Sequence, residues 1–247
     1  MAQPLQDKIA LVTGASRGIG AAIATRLAAD GATVAITYVA SPDKAHKVVD
    51  GIVGAGGKAV AIQADSGKTD DIKRAVATVV DAYGKIDILV NNAGVITLGV
   101  IGEIKETDFE RALDINVRGV FTTTQEVVRH MGTGGRIIMM GSVNSDLIPF
   151  PGASIYTMTK GAVAGFTRGL ARDLGPRGIT VNNIQPGPID TDLNPADGQF
   201  AAAVTGLLAV GHYGKTADVA ALVAFLASPE AGYITGAQIK IDGGFAA

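Results

Sequence analysis

The feature that most restricts the fold of this chain is an alternation. Short runs of apolar, often β-branched residues are separated by stretches long enough for a helix. The runs are IALVT (9–13), TVAITY (33–38), AVAIQA (59–64), IDILVNN (86–92), RIIMMGS (136–142), ITVNNIQ (179–185) and QIKID (238–242). They are apolar nearly throughout, so they predict strands buried on both faces, as in a parallel sheet covered by helices. Between them lie predicted helices near 18–30, 42–55, 69–83, 107–131, 154–174 and 216–227. Thr69 with Asp70 and Asp71 opens one helix, and Gly31, Gly84 and Gly175 close others. Alternation over residues 1–247 predicts one α/β domain with a doubly wound sheet of seven parallel strands. The stretch 186–211, with three prolines, is the one long irregular segment. Such a segment in a compact domain predicts a flexible flap over a binding site.

Composition narrows the function. The chain has no cysteine, which removes disulfides, thiolate metal sites and cysteine nucleophiles and fits a reducing compartment. Its 21 basic and 23 acidic residues give a net charge of -2, with no electrostatic footprint for nucleic acid or an anionic membrane. The N-terminal MAQPLQDKIALVTGAS does not have the layout of a signal peptide. The longest apolar run, VAALVAFLA (219–227), is far short of the roughly 20 residues of a membrane helix. A cytoplasmic protein is expected. His46, His130 and His212 are scattered without metal-ligand spacing, so no metal is expected, and the G-x-S-x-G of a serine hydrolase is absent.

The first strand runs into TGASRGIG (13–20), which opens a helix of small residues. Gly14, Gly18 and Gly20 there let a pyrophosphate approach the backbone, and the helix N-terminus supplies free N–H groups and a positive dipole. A glycine turn alone is weak evidence; one between a first strand and a helix is the Rossmann-type context for a dinucleotide. NAD sites usually carry a carboxylate at the end of the second strand for the ribose 2′-OH. Here that end reads AITYVAS, with Thr37, Tyr38 and Ser41 and no acid before Asp43, while Arg17 lies in the glycine turn. An arginine without a nearby acid suits a 2′-phosphate and favours NADPH over NADH, although Arg17 could also be a solvated turn residue. Asp65, in ADS (64–66), is placed to accept from an adenine amino group or to cap the following helix. NNAG (91–94) puts two amides and a glycine at the carboxyl edge of the sheet, for ligand contact or for tying strands together.

Tyr156 and Lys160 lie four apart in SIYTMTKGAV (154–163), hence on one face of a helix. A free tyrosine ionises near pH 10, too high for efficient proton transfer at neutrality, and a neighbouring ammonium pulls that value down. Ser142, ending the preceding strand, can donate to the same carbonyl oxygen. On its own the Tyr–Lys pair reads more readily as a surface feature; the glycine turn and Ser142 make it a proton-transfer device. Asn116 lies inside a predicted helix where Asn is a poor former, suggesting either a local kink with a bound water or a partly exposed polar position.

TGASRGIG, NNAG, Asn116 in DINVRG (114–119), Ser142 in GSVNS (141–145), YTMTK (156–160), PGPIDT (186–191) and IDGG (241–244) follow one another across nearly the whole chain. In this order they resemble the short-chain dehydrogenase/reductase family, core single-domain type. Within it the chain is most similar to 3-oxoacyl-acyl-carrier-protein reductases and bacterial carbonyl reductases. QPGPIDTDLNPADG (185–198) also looks like a bacterial subgroup linked to biofilm dispersal and cyclic-di-GMP binding.

The resemblance implies that Ser142 holds the substrate carbonyl and Tyr156 exchanges the proton. Lys160 would bind the nicotinamide ribose and lower the tyrosine pKa, and Asn116 would hold a relay water. Ser16 and Ile19 fall in the phosphate turn, Ser66 beside Asp65, and Asn92, Ala93 and Gly94 along the cofactor. Pro186, Gly187, Ile189 and Thr191 fall at the nicotinamide carboxamide. Ser142 and Tyr156 are 14 apart where 13 is common, and the extra residue falls in SDLIPFPGA, which shapes substrate entry. Implied too is a homotetramer or homodimer paired through helices such as 107–131 and 154–174. Val95, Ile96, Ile148, Phe150 and Leu193 suggest a pocket for an apolar carbonyl compound, or ordinary core. Without an Arg/Lys cluster in 186–211, a free small ketone fits better than an acyl-carrier substrate. The expected activity is NADPH-dependent ketone reduction; the alternative is a regulatory protein that binds a cyclic dinucleotide.

Overall fold

The computed structural model describes residues 3–199 and 201–247; Met1, Ala2 and Phe200, the last within the expected flap, lie outside the described residues. Each apolar run becomes a strand: β1 (Ile9–Val12), β2 (Thr33–Tyr38), β3 (Lys58–Gln63), β4 (Ile88–Asn91), β5 (Arg136–Met140), β6 (Thr180–Pro186) and β7 (Gln238–Ile241). All pair in parallel, in the order β3-β2-β1-β4-β5-β6-β7. Every residue of β1, β4 and β5 is buried, whereas the edge strands β3 and β7 are only half covered. Leu11, Leu89, Ile137 and Ile138 are essentially inaccessible, and each contributes about 1.5–3 kcal/mol by leaving water.

The helices between the strands are α1 (Gly18–Ala29), α2 (Pro42–Gly54), α3 (Thr69–Tyr83), α4 (Glu106–Leu113), α5 (Val120–Val128), α6 (Ser154–Leu174), α7 (Ala201–Thr205) and α8 (Thr216–Ala227). Two apolar cores sandwich the sheet. One joins Ile23 and Leu27 of α1 to Val219 and Val223 of α8. The other joins Val76 and Val79 of α3, Val127 of α5 and Val163 of α6. Among the described residues no helix is long and apolar enough to cross a membrane.

The chain order reverses between β1 and its neighbour β4, and at such a switch point the loops diverge to leave a crevice at the carboxyl ends of the strands. Three departures from the expected elements bear on that crevice. First, the single helix expected over 107–131 is broken by a π-helical turn, Asp114–Gly119, between α4 and α5. A Cβ at Gly119 would collide with the Ser66 carbonyl oxygen, so only glycine lets this turn pass against the loop after β3. Second, Gly175 does not close α6 in the left-handed conformation. The helix tightens into a 3₁₀ turn, Gly175–Arg177, and Gly178 takes the positive φ of 70°. Third, the segment 186–211 is more ordered than its prolines suggest, because β6 extends into it and α7 lies within it. Bridges pair Ile189 with Gly214 and Thr191 with Asn194, satisfying backbone groups that a bare loop would leave to water.

Candidate active site

A cleft of about 490 Å³ opens at the carboxyl ends of the strands. The glycine turn, the end of β2, Asp65, Ser66, Asn92–Gly94, Ser142, Tyr156, Lys160, Pro186, Gly187, Ile189 and Thr191 all line it. Asn116 is the one expected site residue that sits behind the wall rather than on it.

At the phosphate end, close approach explains the glycines. Gly14 has φ 63°, and a Cβ there would lie 2.9 Å from the Ala93 Cα; Gly18 has φ 55°. A Cβ at Gly20 would lie 2.5 Å from Asn92 Nδ2 and 2.8 Å from the Ala15 Cα. The turn thus packs against the end of β4, and hydrogen bonds lock the two together. Asn92 Nδ2 donates to the Thr13 and Gly14 carbonyls at 2.9 and 3.0 Å. The Thr13 hydroxyl accepts from the Asn92 and Ala93 N–H groups, each at 3.0 Å, and donates to the Val90 carbonyl. Asn91 turns inward, donating to Thr124 Oγ1 at 3.0 Å. The Asn91 amide therefore ties β4 to α5 and the Asn92 amide ties it to the glycine turn, while Asn92, Ala93 and Gly94 line the cleft.

At the far end, the strand carrying Tyr38 ends without a carboxylate, and Tyr38 itself is buried edge-on to the His46 ring. Arg17 Nη1 lies 3.8 Å from Asp192 Oδ2, and Lys44 Nζ, in the first turn of α2, lies 3.6 Å from the same oxygen. Asp65 does not cap α3. Its Oδ1 accepts from the Gly67 N–H at 2.9 Å and its Oδ2 from Arg111 Nη1 at 3.2 Å, while Asp71, inside the first turn of α3, accepts from the Asp65 N–H. Sequence reasoning missed Arg111, Lys44 and Asp192. The first two sit on helix faces whose aim depends on tertiary packing, and the third sits in the flap.

The catalytic candidates meet at the opposite end. The Ser142 Oγ accepts from the Asn144 N–H at 3.1 Å, which leaves its own proton free to donate. Burial pushes the Tyr156 hydroxyl up from its ordinary value, and the nearby Ser142 hydroxyl works in the other direction. Lys160 lies on the same face of α6, with Nζ 5.7 Å from the Tyr156 ring centroid. Its ammonium is fully enclosed, donates to the Met140 carbonyl at 2.7 Å, and is pushed down to about 8 by desolvation. Burial and Ser142 are the groups that move the tyrosine here; Lys160 is not among them.

Asn116 is buried, and its side chain is fully engaged. Oδ1 accepts from the Val95 N–H at 2.9 Å, and Nδ2 donates to the Val95 carbonyl at 2.9 Å and Thr159 Oγ1 at 3.1 Å. These bonds hold the π-turn against the loop after β4 and the helix that bears Tyr156. A Cβ at Gly94 would sit 3.4 Å from Asn116 Oδ1 and 3.5 Å from Lys160 Nζ, so both groups pack closely against this part of the wall. Val95, Ile96 and Leu193 line the cleft; Ile148 and Phe150 are exposed and do not.

A strand order with its switch point at β1, a glycine turn locked to β4 and a Ser–Tyr–Lys group in one cleft define a dinucleotide-type oxidoreductase scaffold. The family model described as enoyl-(acyl carrier protein) reductase matches residues 14–246. A short-chain dehydrogenase/reductase from Serratia marcescens is 55% identical and superposes with a TM-score of 0.97, covering 99% of this chain and 100% of the other. A short chain dehydrogenase from Burkholderia cenocepacia, solved in complex with NADP, is 52% identical with a TM-score of 0.97, again covering 99% and 100%. The cyclic-di-GMP-binding biofilm dispersal mediator protein of Escherichia coli is 45% identical over 240 residues, 97% of this chain and 98% of that protein. The chain belongs to the short-chain dehydrogenase/reductase family, an oxidoreductase family.

Proposed function

We propose that this protein reduces a ketone to a secondary alcohol with NADPH. The observation that carries the reading is that Ser142, Tyr156 and an enclosed Lys160, whose Nζ lies 5.7 Å from the Tyr156 ring centroid, line the same cleft as the glycine turn. The residues fit the cofactor. Gly14, Gly18 and Gly20, with Ser16 and Ile19, form the cleft-lining turn that opens α1, where free N–H groups suit a pyrophosphate. Arg17, with Lys44 beside it and no acid at the end of β2, suits a 2′-phosphate. Asp65, held by Arg111, keeps a carboxylate for the adenine, and the Burkholderia relative binds NADP.

The reduced nicotinamide supplies the hydride when bound. Ser142 donates to the carbonyl oxygen and orients it. Tyr156 gives that oxygen its proton, and neutralising the developing alkoxide is where a general acid contributes about 10²- to 10⁴-fold. Lys160 places a buried cation below the tyrosine, and Asn116 fixes the helix on which both depend. Val95, Ile96 and Leu193 present an apolar wall that suits an apolar ketone rather than an acyl-carrier-bound chain. A ketone panel run with NADPH and NADH tests the reading. Turnover is expected with NADPH, and Tyr156→Phe should lower kcat at least about 100-fold while Kd for NADPH stays within about twofold. Absence of turnover across the panel overturns it.

A second reading, a regulatory protein that binds a cyclic dinucleotide in this cleft, is favoured by the identity to the Escherichia coli mediator. Calorimetry with cyclic-di-GMP against NADPH separates them: tighter cyclic-dinucleotide binding that survives Tyr156→Phe supports the second reading. Assembly into a homotetramer or homodimer is supported by an apolar groove between the π-turn, α5 and α6, where the exposed Phe121 lies 6.0 Å from the Phe166 ring. Light scattering coupled to size exclusion measures it directly.

A further inference from the structure

Arg17, Lys44 and Asp192 come from three separate elements: the β1–α1 turn, the first turn of α2 and the flap after β6. Yet both cations approach the same carboxylate oxygen, at 3.8 and 3.6 Å. Two like charges held this close repel each other unless an anion stands between them. The geometry therefore marks an anion seat with two cations, and the protein fills it with its own carboxylate. All three side chains are about half exposed, at 48%, 55% and 63%. Solvated pairs of this kind are weak, so Asp192 is an occupant that a stronger anion displaces.

We propose that Asp192 is a specificity-determining residue, a built-in competitor for the cofactor's 2′-phosphate at the Arg17–Lys44 seat. The proposal rests on the NADPH reading above. A 2′-phosphate carries close to two negative charges and offers several acceptor oxygens, so it takes both cations from a single carboxylate. A 2′-hydroxyl carries no charge and leaves the Asp192 contacts intact. The carboxylate thus lowers affinity only for ligands that need the seat, and Thr191–Asn194 is released from the cations when such a ligand binds. Asp190 and Asp197, the other acids of this segment, form no ion pair with either cation.

The test is calorimetry on the full-length protein with adenosine 2′,5′-bisphosphate and 5′-AMP, which differ only by the 2′-phosphate. Asp192→Asn should tighten the bisphosphate about three- to tenfold, the scale of two weak exposed ion pairs, and leave 5′-AMP within twofold. Asp197→Asn, which removes the same charge from the flap away from the seat, should leave both ligands unchanged. Equal tightening of both nucleotides, an equal effect from Asp197→Asn, or no effect of Asp192→Asn overturns the assignment. Arg17→Ala separates this from the broader reading. If the wild type prefers the bisphosphate, Arg17→Ala abolishes that preference and Asp192→Asn changes nothing, the NADPH reading stands and only the competitor is lost. If the wild type has no preference for the bisphosphate, both fall.

Discussion

Replacing Lys160 with methionine converts the burial of one charge into a measurable pH dependence of stability. The side chain is only 6% exposed, and desolvation pushes its ammonium down to about 8, from an ordinary value near 10.4. Between those two values the unfolded chain still holds a proton that the folded protein has released. Stability therefore rises with pH across that window. Below pH 8 both states are protonated, and the cost of enclosing the charge is constant. The slope approaches about 1.4 kcal/mol per pH unit, so the full window amounts to about 3 kcal/mol in favour of the fold. Urea unfolding of wild type and Lys160→Met at matched protein concentration, at intervals from pH 7 to pH 10.5, isolates it, because other groups titrate alike in both proteins. The Met140 carbonyl loses its donor in the variant; this penalty does not vary with pH and drops out of the slope. With an m-value of about 2–3 kcal/mol per molar, the wild-type midpoint should gain about 1 M of urea on the variant over the range. A difference that stays flat from pH 7 to pH 10.5 would refute the argument, because it would mean that Lys160 titrates normally in the folded protein.

The wall between the glycine turn and β4 gives two further expectations. Gly20→Ala places a Cβ against Asn92 Nδ2 and the Ala15 backbone; it should cost about 1–3 kcal/mol in thermal unfolding and weaken NADPH at least tenfold by fluorescence titration. Asn92→Ala removes the donor to the Thr13 and Gly14 carbonyls and should destabilise by about 1–3 kcal/mol. The double variant should lose less than the sum of the two, because Asn92 is itself the nearest obstacle at position 20; strict additivity would argue against the direct contact.

Much of the fold was legible because its signals are local. A buried parallel strand needs an unbroken apolar run, and α6 spans Ser154–Leu174, the range its periodicity predicts. The glycine turn and the Tyr–Lys spacing were legible for the same reason, since each is set by adjacent backbone. The π-turn was half visible. An Asn and a Gly inside a helical pattern flag a disturbance, but its cause lies in Val95, Thr159 and Ser66, distant in sequence. The roles of the NNAG amides could not be decided from sequence, because ligand contact and strand-tying demand the same residues. Arg111 illustrates the limit. Nothing in ETDFERAL says that this guanidinium will turn toward Asp65, 46 positions away.

The Thr13 hydroxyl spends all three of its hydrogen bonds across the gap between β1 and β4. One jaw of the cleft is consequently bolted to the sheet, whereas the opposite jaw, Thr191–Asn194, closes on itself through its own bridge and is tied outward by the Asn194 amide, which donates to the Ile189 carbonyl at 3.3 Å, and by solvated ion pairs. Any rearrangement that admits a ligand is therefore expected on the 191–194 side, and substitutions in the bolted jaw are expected to change affinity more than the rate of escape.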